Sequence, residues 1–571
     1  MAKYTQIYND ADGFLQDVRK ACAKYAALVA KTAGPKGHNV MLIANNQCHL
    51  TKDGISVLRS ITDVETAAEK TAIAVLRGTS EQTNKVAGDG TTATAILANE
   101  IFQQGFPLLA SGINGNSLRQ GINKAADLSI KFIKENLATP VKDNEDLKRV
   151  ARISSNGSEE IATILADLFN QIGKDGYARV ELSNGTSTTS KIVQGMTFQR
   201  GMVSPYFATN EHREAVLDNP VVLIVNKKLN VIGELIKPFE ALMKMNRPIL
   251  VIADGYEQDI INTLVLNKLH GLPVCAVEAP SWGDWKTGMM EDIAVVCDGK
   301  VISPTTGLTL DDAVIQPGVL GHAKQVVVTS ESTSIVSASD VDMNPENNPR
   351  LKERIALLQS EIDDPDKSEH DKNIARTRKA RLTGGIGIVS VGGATEAEIH
   401  EKKDLVDDAF SSVKSALEDG VVPGGGVTFL CLQAALSKWA TDNPDELDAD
   451  ATLGFGVFVN ALTAPTLEII NNAMPSDKVA GITHIGGIIA ANQEMHAKDE
   501  TLKPWRYGYN GAEDEMGDLV NDGVIDSAAA IIAAITNATS GGGSLLTLAG
   551  ATFTPPPEPT AMPQAMHPGM R

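Results

Sequence analysis

The run AGDGTTAT at residues 87–94 places one carboxylate between two glycines and follows it with two hydroxyl side chains. A helix is predicted just after it, over ATAILANEIFQQGF at residues 93–106. The free N–H groups and positive dipole end of a helix N-terminus favour an anion, and glycines allow a phosphate to approach the backbone. Asp89 would repel a phosphate directly, but it suits Mg²⁺, which prefers one or two carboxylates together with phosphate oxygens. The run therefore predicts a site for Mg²⁺ and phosphate.

Two other interpretations of this run compete with the phosphate site. Asp89 or Thr91 could merely cap the following helix, as short polar side chains commonly do. GDGTTA at residues 88–93 also matches G-x-G-x-x-G/A, but the dinucleotide fingerprint requires a preceding strand, and residues 70–86 have a helical pattern. The sequence contains no G-x-x-x-x-G-K-[ST], which excludes a Walker-type phosphate loop. On the local motif alone, the capping interpretation stays open.

Three further stretches could contribute to the same kind of site. TAGPKG (32–37) and PGGGV (423–427) are glycine loops at the ends of predicted helices. YGYNGAEDEMG (507–517), together with Asp526, offers amide, backbone and carboxylate groups that could hold a nucleoside. A glycine loop by itself usually indicates only a turn, so each of these signals is weak alone.

Composition limits the possible function classes. The chain has 571 residues, of which 43% are hydrophobic and 4% aromatic, and its formal net charge is −20. The length predicts about three or four domains, and the acidic charge and low aromatic content argue against nucleic-acid binding. The five cysteines form no C-x-x-C pair, which favours free thiols in a reducing compartment. The polar N-terminus resembles no signal peptide and no transmembrane helix is predicted, so we expect a cytoplasmic protein without membrane partners.

The predicted elements have a nested order along the chain. Residues 15–29 and 64–86 are predicted helices, and short strands are expected at 39–43 and 48–51. From 195 to 385, strands alternate with helices, which is typical of a separate α/β domain. Its strands are predicted at VVLIV (221–225), PILVIAD (248–254), PVCAVEAP (273–280) and IAVVCDG (293–299). A long helix follows at 396–418, residues 427–540 are mostly helical, and a Pro- and Met-rich tail at 551–571 is expected to be disordered.

Several of these stretches together resemble the GroEL-type (group I) chaperonins. The resemblance covers about residues 4–550, in the family's order and at nearly its spacing, and it marks a divergent member with an insertion at about 476–506. It rests on KTAGPKGHNVML, TKDGISV, AGDGTTATAILA, QGMTFQRGMVSPYF, GGATEAEIHEKKDLVDDAFSSVKSALEDGVVPGGGV, YGYNGA and GVIDSA.

The resemblance implies a multidomain α+β and α/β fold. It has a mostly helical equatorial ATPase domain in two chain segments, a small intermediate hinge domain in two segments, and an inserted α/β apical domain that binds substrate. The implied boundaries are 1–136 and 419–550 (equatorial), 137–193 and 386–418 (intermediate), and 194–385 (apical).

The resemblance also implies an ATP site with Mg²⁺ and K⁺. Asp89 would hold Mg²⁺, K⁺ would lie near Thr32, Lys52 and Thr92, and Asp53 and Asp408 would flank the attacking water. The other implied nucleotide contacts are Ala33, Gly34, Pro35, Gly54, Gly90, Thr91, Ala93, Gly425, Asn510, Gly511, Ala512 and Asp526. From the residues alone, Asp408 would be read as a solvated carboxylate on the polar face of a long helix. The match of KKDLVDDAF to the family reverses that interpretation.

The apical domain would supply a second function. Predicted helices at 231–245 and about 257–269 carry apolar arcs wider than a core-facing stripe needs. By resemblance, the side chains that bind non-native polypeptides are Tyr206, Phe207, Ile236, Phe239, Ile261, Val265 and Leu266. The implied partners are these polypeptides, further copies of the chain in a single or double ring, and a GroES-like co-chaperonin.

The sequence therefore predicts a chaperonin that folds proteins by Mg-ATP hydrolysis. A ring-forming scaffold or adaptor that has lost ATP-driven folding is the alternative, and retention of Asp53, Asp89 and Asp408 argues against it. A metabolic enzyme that uses a nucleotide is a third possibility, but no nucleophilic His, Cys or Ser constellation stands out.

Overall fold

The computed structural model describes residues 6–553, except 10–12, 45–46, 63, 156, 174–176, 184, 211–212, 281–282, 366, 476–479 and 499–504. The chain forms two compact units, of which unit 1 comprises residues 1–163 and 404–571, and unit 2 comprises residues 164–403. The chain thus leaves unit 1 and returns to it, as the nested sequence pattern predicts. The division into equatorial, intermediate and apical domains stays a prediction.

Unit 1 is mainly helical. Its helices are α1 (Phe14–Ala30), α2 (Gly54–Ser60), α3 (Ala67–Ala87), α4 (Thr91–Ala110), α5 (Gly115–Phe132), α6 (Asn144–Ser154), α7 (Glu159–Ile172), α14 (Glu396–Asp419), α15 (Val427–Asp442), α16 (Ala449–Ala461), α17 (Ala464–Ala473), α18 (Ala480–Lys498) and α19 (Ala528–Leu546). The boundaries between the two units fall within α7 and α14. The predicted helix 15–29 is confirmed as α1, and its apolar positions are buried in the core shared with α3, α4, α5, α16 and α19. Burial of this apolar stripe is what stabilises such a helix.

Four antiparallel strand pairs complete the described part of unit 1. They are β1 (Gln6–Asn9) with β19 (Gly550–Phe553), β2 (Val40–Ala44) with β3 (Gln47–Thr51), β15 (Val421–Pro423) with β18 (Ile525–Ser527), and β16 (Tyr507–Asn510) with β17 (Glu515–Asp518). The predicted hairpin at 39–51 is confirmed by β2 and β3. The expectation of a disordered tail from residue 551 is wrong for 551–553, because they pair with β1, and residues 554–571 lie outside the described residues.

Two apolar stretches of unit 1 are long enough to cross a membrane by length and composition. They are residues 449–473 and 528–546, and both are mostly buried inside the fold. Core helices of a folded domain pass the same test, so burial explains their composition.

Unit 2 contains an eight-stranded mixed sheet whose parallel strands lie at one end of the strand order. Strands β8 (Val221–Leu229), β9 (Ile249–Tyr256) and β10 (Val274–Glu278) run parallel and confirm three of the four predicted strands. The remaining strands of this sheet are β6 (Gly195–Phe198), β7 (Ala215–Asp218), β11 (Val301–Ile302), β12 (Gly321–Val328) and β13 (Thr333–Ser337). A separate three-stranded sheet has the order β4 (Tyr177–Leu182), β14 (Ile386–Val391) and β5 (Thr189–Val193).

One secondary-structure prediction is wrong in unit 2, and it concerns a helix. The unit's helices are α8 (Gly233–Lys244), α9 (Gln258–Leu269), α10 (Gly283–Val296), α11 (Asp312–Ile315), α12 (Pro349–Asp363) and α13 (Glu369–Gly384). The predicted strand at 293–299 is wrong, because its apolar residues form the last turn of α10. A short apolar run buried on all sides has the same composition in a helix as in a strand.

Candidate nucleotide site

A two-glycine turn joins α3 to α4 and presents Asp89 between them. Gly88 and Gly90 have φ angles of 71° and 85°, which lie in the left-handed region that favours glycine. Neighbouring segments also restrict both positions. A Cβ on Gly88 would lie 1.9 Å from Cβ of Ser411, and a Cβ on Gly90 would lie 3.1 Å from the carbonyl oxygen of Ala530. The turn is therefore held between α14 and α19, and its backbone conformation requires both glycines.

The structure does not support the interpretation that Asp89 or Thr91 caps α4. The N-cap residue of α4 is Gly90, and no side-chain hydrogen bond caps this helix. The carboxylate of Asp89 instead accepts a hydrogen bond from the Gly90 amide at Oδ1, at 2.5 Å. Its Oδ2 accepts hydrogen bonds from the hydroxyls of Ser154 at 2.8 Å and Ser412 at 3.3 Å. The first amides of α4 thus remain available to an anion beside a fixed carboxylate.

The first glycine loop lies against the start of α4. The hydroxyl oxygens of Thr32 and Thr92 are 3.3 Å apart, and Thr32 donates a hydrogen bond to the carbonyl of Val29. Gly54 also lies close to Thr92, since a Cβ on Gly54 would be 2.4 Å from Oγ1 of Thr92. Lys52 precedes this contact by two residues. The residues predicted for phosphate and K⁺ binding are therefore neighbours in space.

A buried asparagine that the sequence analysis missed fixes this loop. The side-chain amide of Asn472 donates hydrogen bonds to the carbonyls of Ala30 at 2.7 Å and Ala33 at 3.0 Å. Ile469, one turn earlier on α17, packs against Gly34. Two residues of α17 thus hold the loop in place, although they are more than 400 positions away in sequence.

Asp53 caps a helix and also faces Asp408. Its carboxylate accepts hydrogen bonds from the amides of Ile55 and Ser56 at the start of α2, and from the Ser56 hydroxyl at 2.6 Å. Burial raises the pKa of Asp408 well above its ordinary value, and the charges of Asp53 and Asp89 raise this pKa further. The charges of Asp53 and Asp89 thus both act on Asp408, and a buried carboxyl group with other carboxylates nearby is typical of a functional site.

The residues predicted for nucleoside binding also meet at this site. Asp526 on β18 is paired with Val422 on β15, directly before the loop 424–426. A Cβ on Gly424 would lie 3.0 Å from Oδ1 of Asp526, and a Cβ on Gly511 would lie 3.2 Å from Cγ of Pro35. Gly425 packs beside Leu519, while Asn510 is buried and its side-chain oxygen accepts a hydrogen bond from the amide of Ala512. The loops at 32–37, 424–426 and 510–512 thus border one site.

The donor set of this site fits Mg²⁺ held together with a phosphate. The carboxylate of Asp89 and the hydroxyls of Thr91 and Thr92 are hard oxygen ligands beside a helix N-terminus. Among the described residues, no group of three or more His, Cys, Asp or Glu side chains is arranged to hold a metal ion by itself. Asp89 is the residue that would bind the cation directly.

The apolar residues predicted to bind clients separate into two sets in unit 2. Tyr206, Ile236 and Leu266 are 70%, 51% and 53% exposed, and Ile261 and Val265 are half-buried. The expectation that Phe207 and Phe239 contact clients is wrong for this structure, because they are 0% and 7% exposed and belong to the core of unit 2. Other exposed apolar side chains extend the first set, and these are Val231, Met243 and Leu269.

Asp526 gives the metal-free site a specific pH dependence. Burial and the nearby charge of Asp89 raise the pKa of Asp526 to about 7. Because the folded chain keeps a proton on Asp526 that the unfolded chain releases near pH 4, the stability of the metal-free protein should fall as pH rises from about 4 through about 7. We expect Asp526→Asn to remove this pH-dependent loss of stability, which is worth roughly 2–4 kcal/mol between pH 4 and pH 7. The variant should therefore melt at a higher temperature than the wild type at pH 8.

Thermal melts of the metal-free variants at pH 5 and pH 8 check this prediction. Asp442→Asn, at an exposed position at the end of α15, serves as the control and should keep the wild-type pH dependence. An Asp526→Asn melting profile parallel to the wild type across this range would contradict the prediction.

Two comparisons place the chain among known proteins. The sequence model of the TCP-1/cpn60 chaperonin family matches residues 26–549. The fold is similar to that of the chaperonin gp146 from the bacteriophage EL 2 (Pseudomonas aeruginosa), solved in the presence of ATP-BeFx. In crystal form II the TM-score is 0.69 at 22% identity, covering 97% of this chain and 100% of that chain. In crystal form I it is 0.63 at 21% identity, covering 96% and 99%.

Proposed function

The chain belongs to the TCP-1/cpn60 chaperonin family, and from this premise we propose that it hydrolyses Mg-ATP to drive the folding of non-native polypeptides in a ring cavity. The observation that carries the proposal is the convergence of Asp53, Asp89 and Asp408 beside the uncapped N-terminus of α4. Holding repelling carboxylates together in a partly buried site costs stability, and in a scaffold that bound no nucleotide nothing would offset this cost.

The phosphates of ATP would lie against the start of α4 and the loop at 32–35. Amides at the start of α4 and the hydroxyls of Thr91 and Thr92 would bind their oxygens. Mg²⁺, held by Asp89, would neutralise phosphate charge, and K⁺ near Thr32, Lys52 and Thr92 would add to this neutralisation. The ribose and base would then lie between Gly425, the loop at 510–512 and Asp526.

Hydrolysis of the γ-phosphate requires an oriented water rather than a covalent nucleophile. Asp408 and Asp53 would hold this water by accepting hydrogen bonds from it. Asp53 is fixed by the amides that it caps on α2, whereas Asp408 is carried by the long helix α14. Water activation would therefore depend on the position of α14, which offers a route for coupling hydrolysis to domain movement.

Non-native polypeptides would bind the exposed apolar residues on α8, α9 and the turn at 205–207 of unit 2. Hydrophobic contact is non-directional, which suits a binder of many unrelated clients. An exposed apolar patch of this kind would also suit binding of a GroES-like co-chaperonin. Further copies of the chain would complete the ring. The proposed location of the protein is the cytoplasm.

Release of phosphate by the purified full-length chain tests the ATPase proposal. We expect steady-state ATP hydrolysis that requires Mg²⁺. If the chain forms rings but neither binds nor hydrolyses ATP, the alternative of a scaffold that has lost ATP-driven folding would take its place.

The client surface gives a second, separate prediction. We expect the double substitution Ile236→Ser and Leu266→Ser to weaken binding of a chemically unfolded protein about tenfold or more, since two exposed apolar contacts are lost without disturbing the core. Leu357→Ser, an exposed apolar position on α12 of the same unit, is the matched control. Suppression of client aggregation in the absence of nucleotide is the measurement. Equal suppression by the double variant and the wild type would contradict the proposed surface.

A further inference from the structure

We propose that the hydroxyls of Ser154 and Ser412 position the carboxylate of Asp89 for binding a divalent cation. The two serines would act through Asp89 and would not touch the cation or the nucleotide. The inference rests on the proposed nucleotide site, but it concerns two residues that neither the glycine motifs nor the predicted set of nucleotide contacts includes.

Both hydroxyls donate to the same carboxylate oxygen. Ser154 is the last residue of α6 and lies 2.8 Å from Oδ2 of Asp89, and Ser412 on α14 lies 3.3 Å from it. The amide of Gly90 binds the other oxygen, Oδ1. Three donors from three segments of chain therefore fix the rotation of the carboxylate. Hydrogen-bonded partners of this kind commonly orient metal-binding carboxylates.

Ser412 is well suited to this role by its burial. It is 1% exposed, so its hydroxyl needs a partner inside the protein. A serine within a helix often donates to a backbone carbonyl one turn earlier. Ser415, three residues further on α14, does donate to the carbonyl of Ser412, whereas the hydroxyl of Ser412 is directed at Asp89.

The local electrostatics favour a neutral donor at these positions. Burial raises the pKa of Asp408 and of Asp526, and the charge of Asp89 raises both further, so additional negative charge beside Asp89 is disfavoured. A lysine or arginine on Asp89 would relieve that repulsion but would also neutralise the charge that attracts a cation. A serine hydroxyl stabilises the carboxylate by a hydrogen bond and leaves its negative charge intact.

Ser412 also relates the metal-binding carboxylate to the water-binding one. Asp408 and Ser412 are four residues apart on α14, so they lie on the same face of the helix, one turn apart. Contact of Ser412 with Asp89 therefore places the turn of α14 that carries Asp408 close to the turn at 88–90. Loss of that contact should affect metal binding first and the orientation of the water as a consequence.

Binding of Mn²⁺ to the full-length chain saturated with ADP tests the inference without relying on activity. Free Mn²⁺ is measured by electron paramagnetic resonance for the wild type, Ser154→Ala, Ser412→Ala and the double alanine variant. We expect the double variant to bind Mn²⁺ about 10-fold or more weakly, and each single variant several-fold more weakly. The affinity for ADP without metal should stay unchanged.

Two further variants separate positioning from folding. Ser154→Thr keeps the hydroxyl at a half-buried position and should restore wild-type Mn²⁺ affinity. Ser415→Ala removes a buried hydroxyl from the same helix, one that contacts Ser527 at 2.8 Å, and should leave Mn²⁺ affinity unchanged.

The outcomes distinguish this inference from the proposed function. A double variant that melts like Ser415→Ala but binds Mn²⁺ within twofold of the wild type would overturn the positioning role. Tighter Mn²⁺ binding by that variant would also overturn it, because the hydroxyls would then compete with the metal. A wild type that binds neither ADP nor Mn²⁺ would instead overturn the nucleotide site itself, and this inference with it.

Discussion

Replacement of Asp408 by asparagine is expected to lower the turnover number for ATP hydrolysis by about 100-fold or more, while ADP still binds. Asparagine keeps the shape of the side chain and removes the charge that would polarise the attacking water. Burial and the charges of neighbouring carboxylates disfavour the charged form of Asp408 and so raise its pKa. A neutral asparagine does not bear this cost, so the folded state should not lose stability. The measurement is steady-state phosphate release beside ADP binding.

Asp407→Asn is the matched control for this substitution. It removes an equal charge from the adjacent position of α14, which points about 100° away around the helix. We expect its turnover to stay within about threefold of the wild type, because it changes the local field without changing a group that contacts the water. Equal losses in the two variants would mean that hydrolysis depends on the charge of α14 and not on Asp408 as a water-binding group.

Replacement of Asp89 by alanine is expected to weaken strongly the Mg²⁺ dependence of nucleotide binding. Asp89 is the carboxylate that the turn at 88–90 presents beside the uncapped start of α4. Without it, we expect Mg²⁺ to improve ADP affinity about 100-fold less than in the wild type, because the phosphate oxygens and water would be the remaining ligands. Titration of ADP with and without Mg²⁺ measures this difference directly.

The control for Asp89→Ala is an aspartate whose role is only to cap a helix. Asp448 accepts a hydrogen bond from the amide of Ala451 at 2.8 Å at the start of α16. Asp448→Ala should cost about 1 kcal/mol of stability and leave nucleotide binding unchanged. If Asp89→Ala behaves in the same way, the turn at 88–90 is merely structural and the assignment of Mg²⁺ to Asp89 is wrong.

The sequence predicted the elements whose evidence is local. The apolar periodicity of α1 and the uninterrupted runs of Val, Ile and Leu in β8 and β9 correspond directly to how those residues are buried. IAVVCDG failed because a seven-residue window gives no period once all of its apolar side chains are buried. The helix begins at Gly283, ten residues before the window, and that longer context decides its state.

The site shows the same division between local and distant evidence. The turn at 88–90 could be predicted because left-handed backbone conformations require glycine within the motif itself. Ser154 and Ser412 are 65 and 323 positions from Asp89, and a serine on a helix carries no signal of such a contact. Phe207 was misjudged for a related reason, since an apolar residue has the same type whether it faces the core or a client.

The most direct test of the central claim is the refolding of a chemically unfolded, aggregation-prone enzyme by the purified chain. We expect the wild type to suppress aggregation without nucleotide and to release active enzyme when Mg-ATP is added. The Asp408→Asn variant should suppress aggregation equally but release little active enzyme with Mg-ATP. Recovery that is the same with and without Mg-ATP, or the same for both proteins, would contradict a folding cycle driven by ATP hydrolysis.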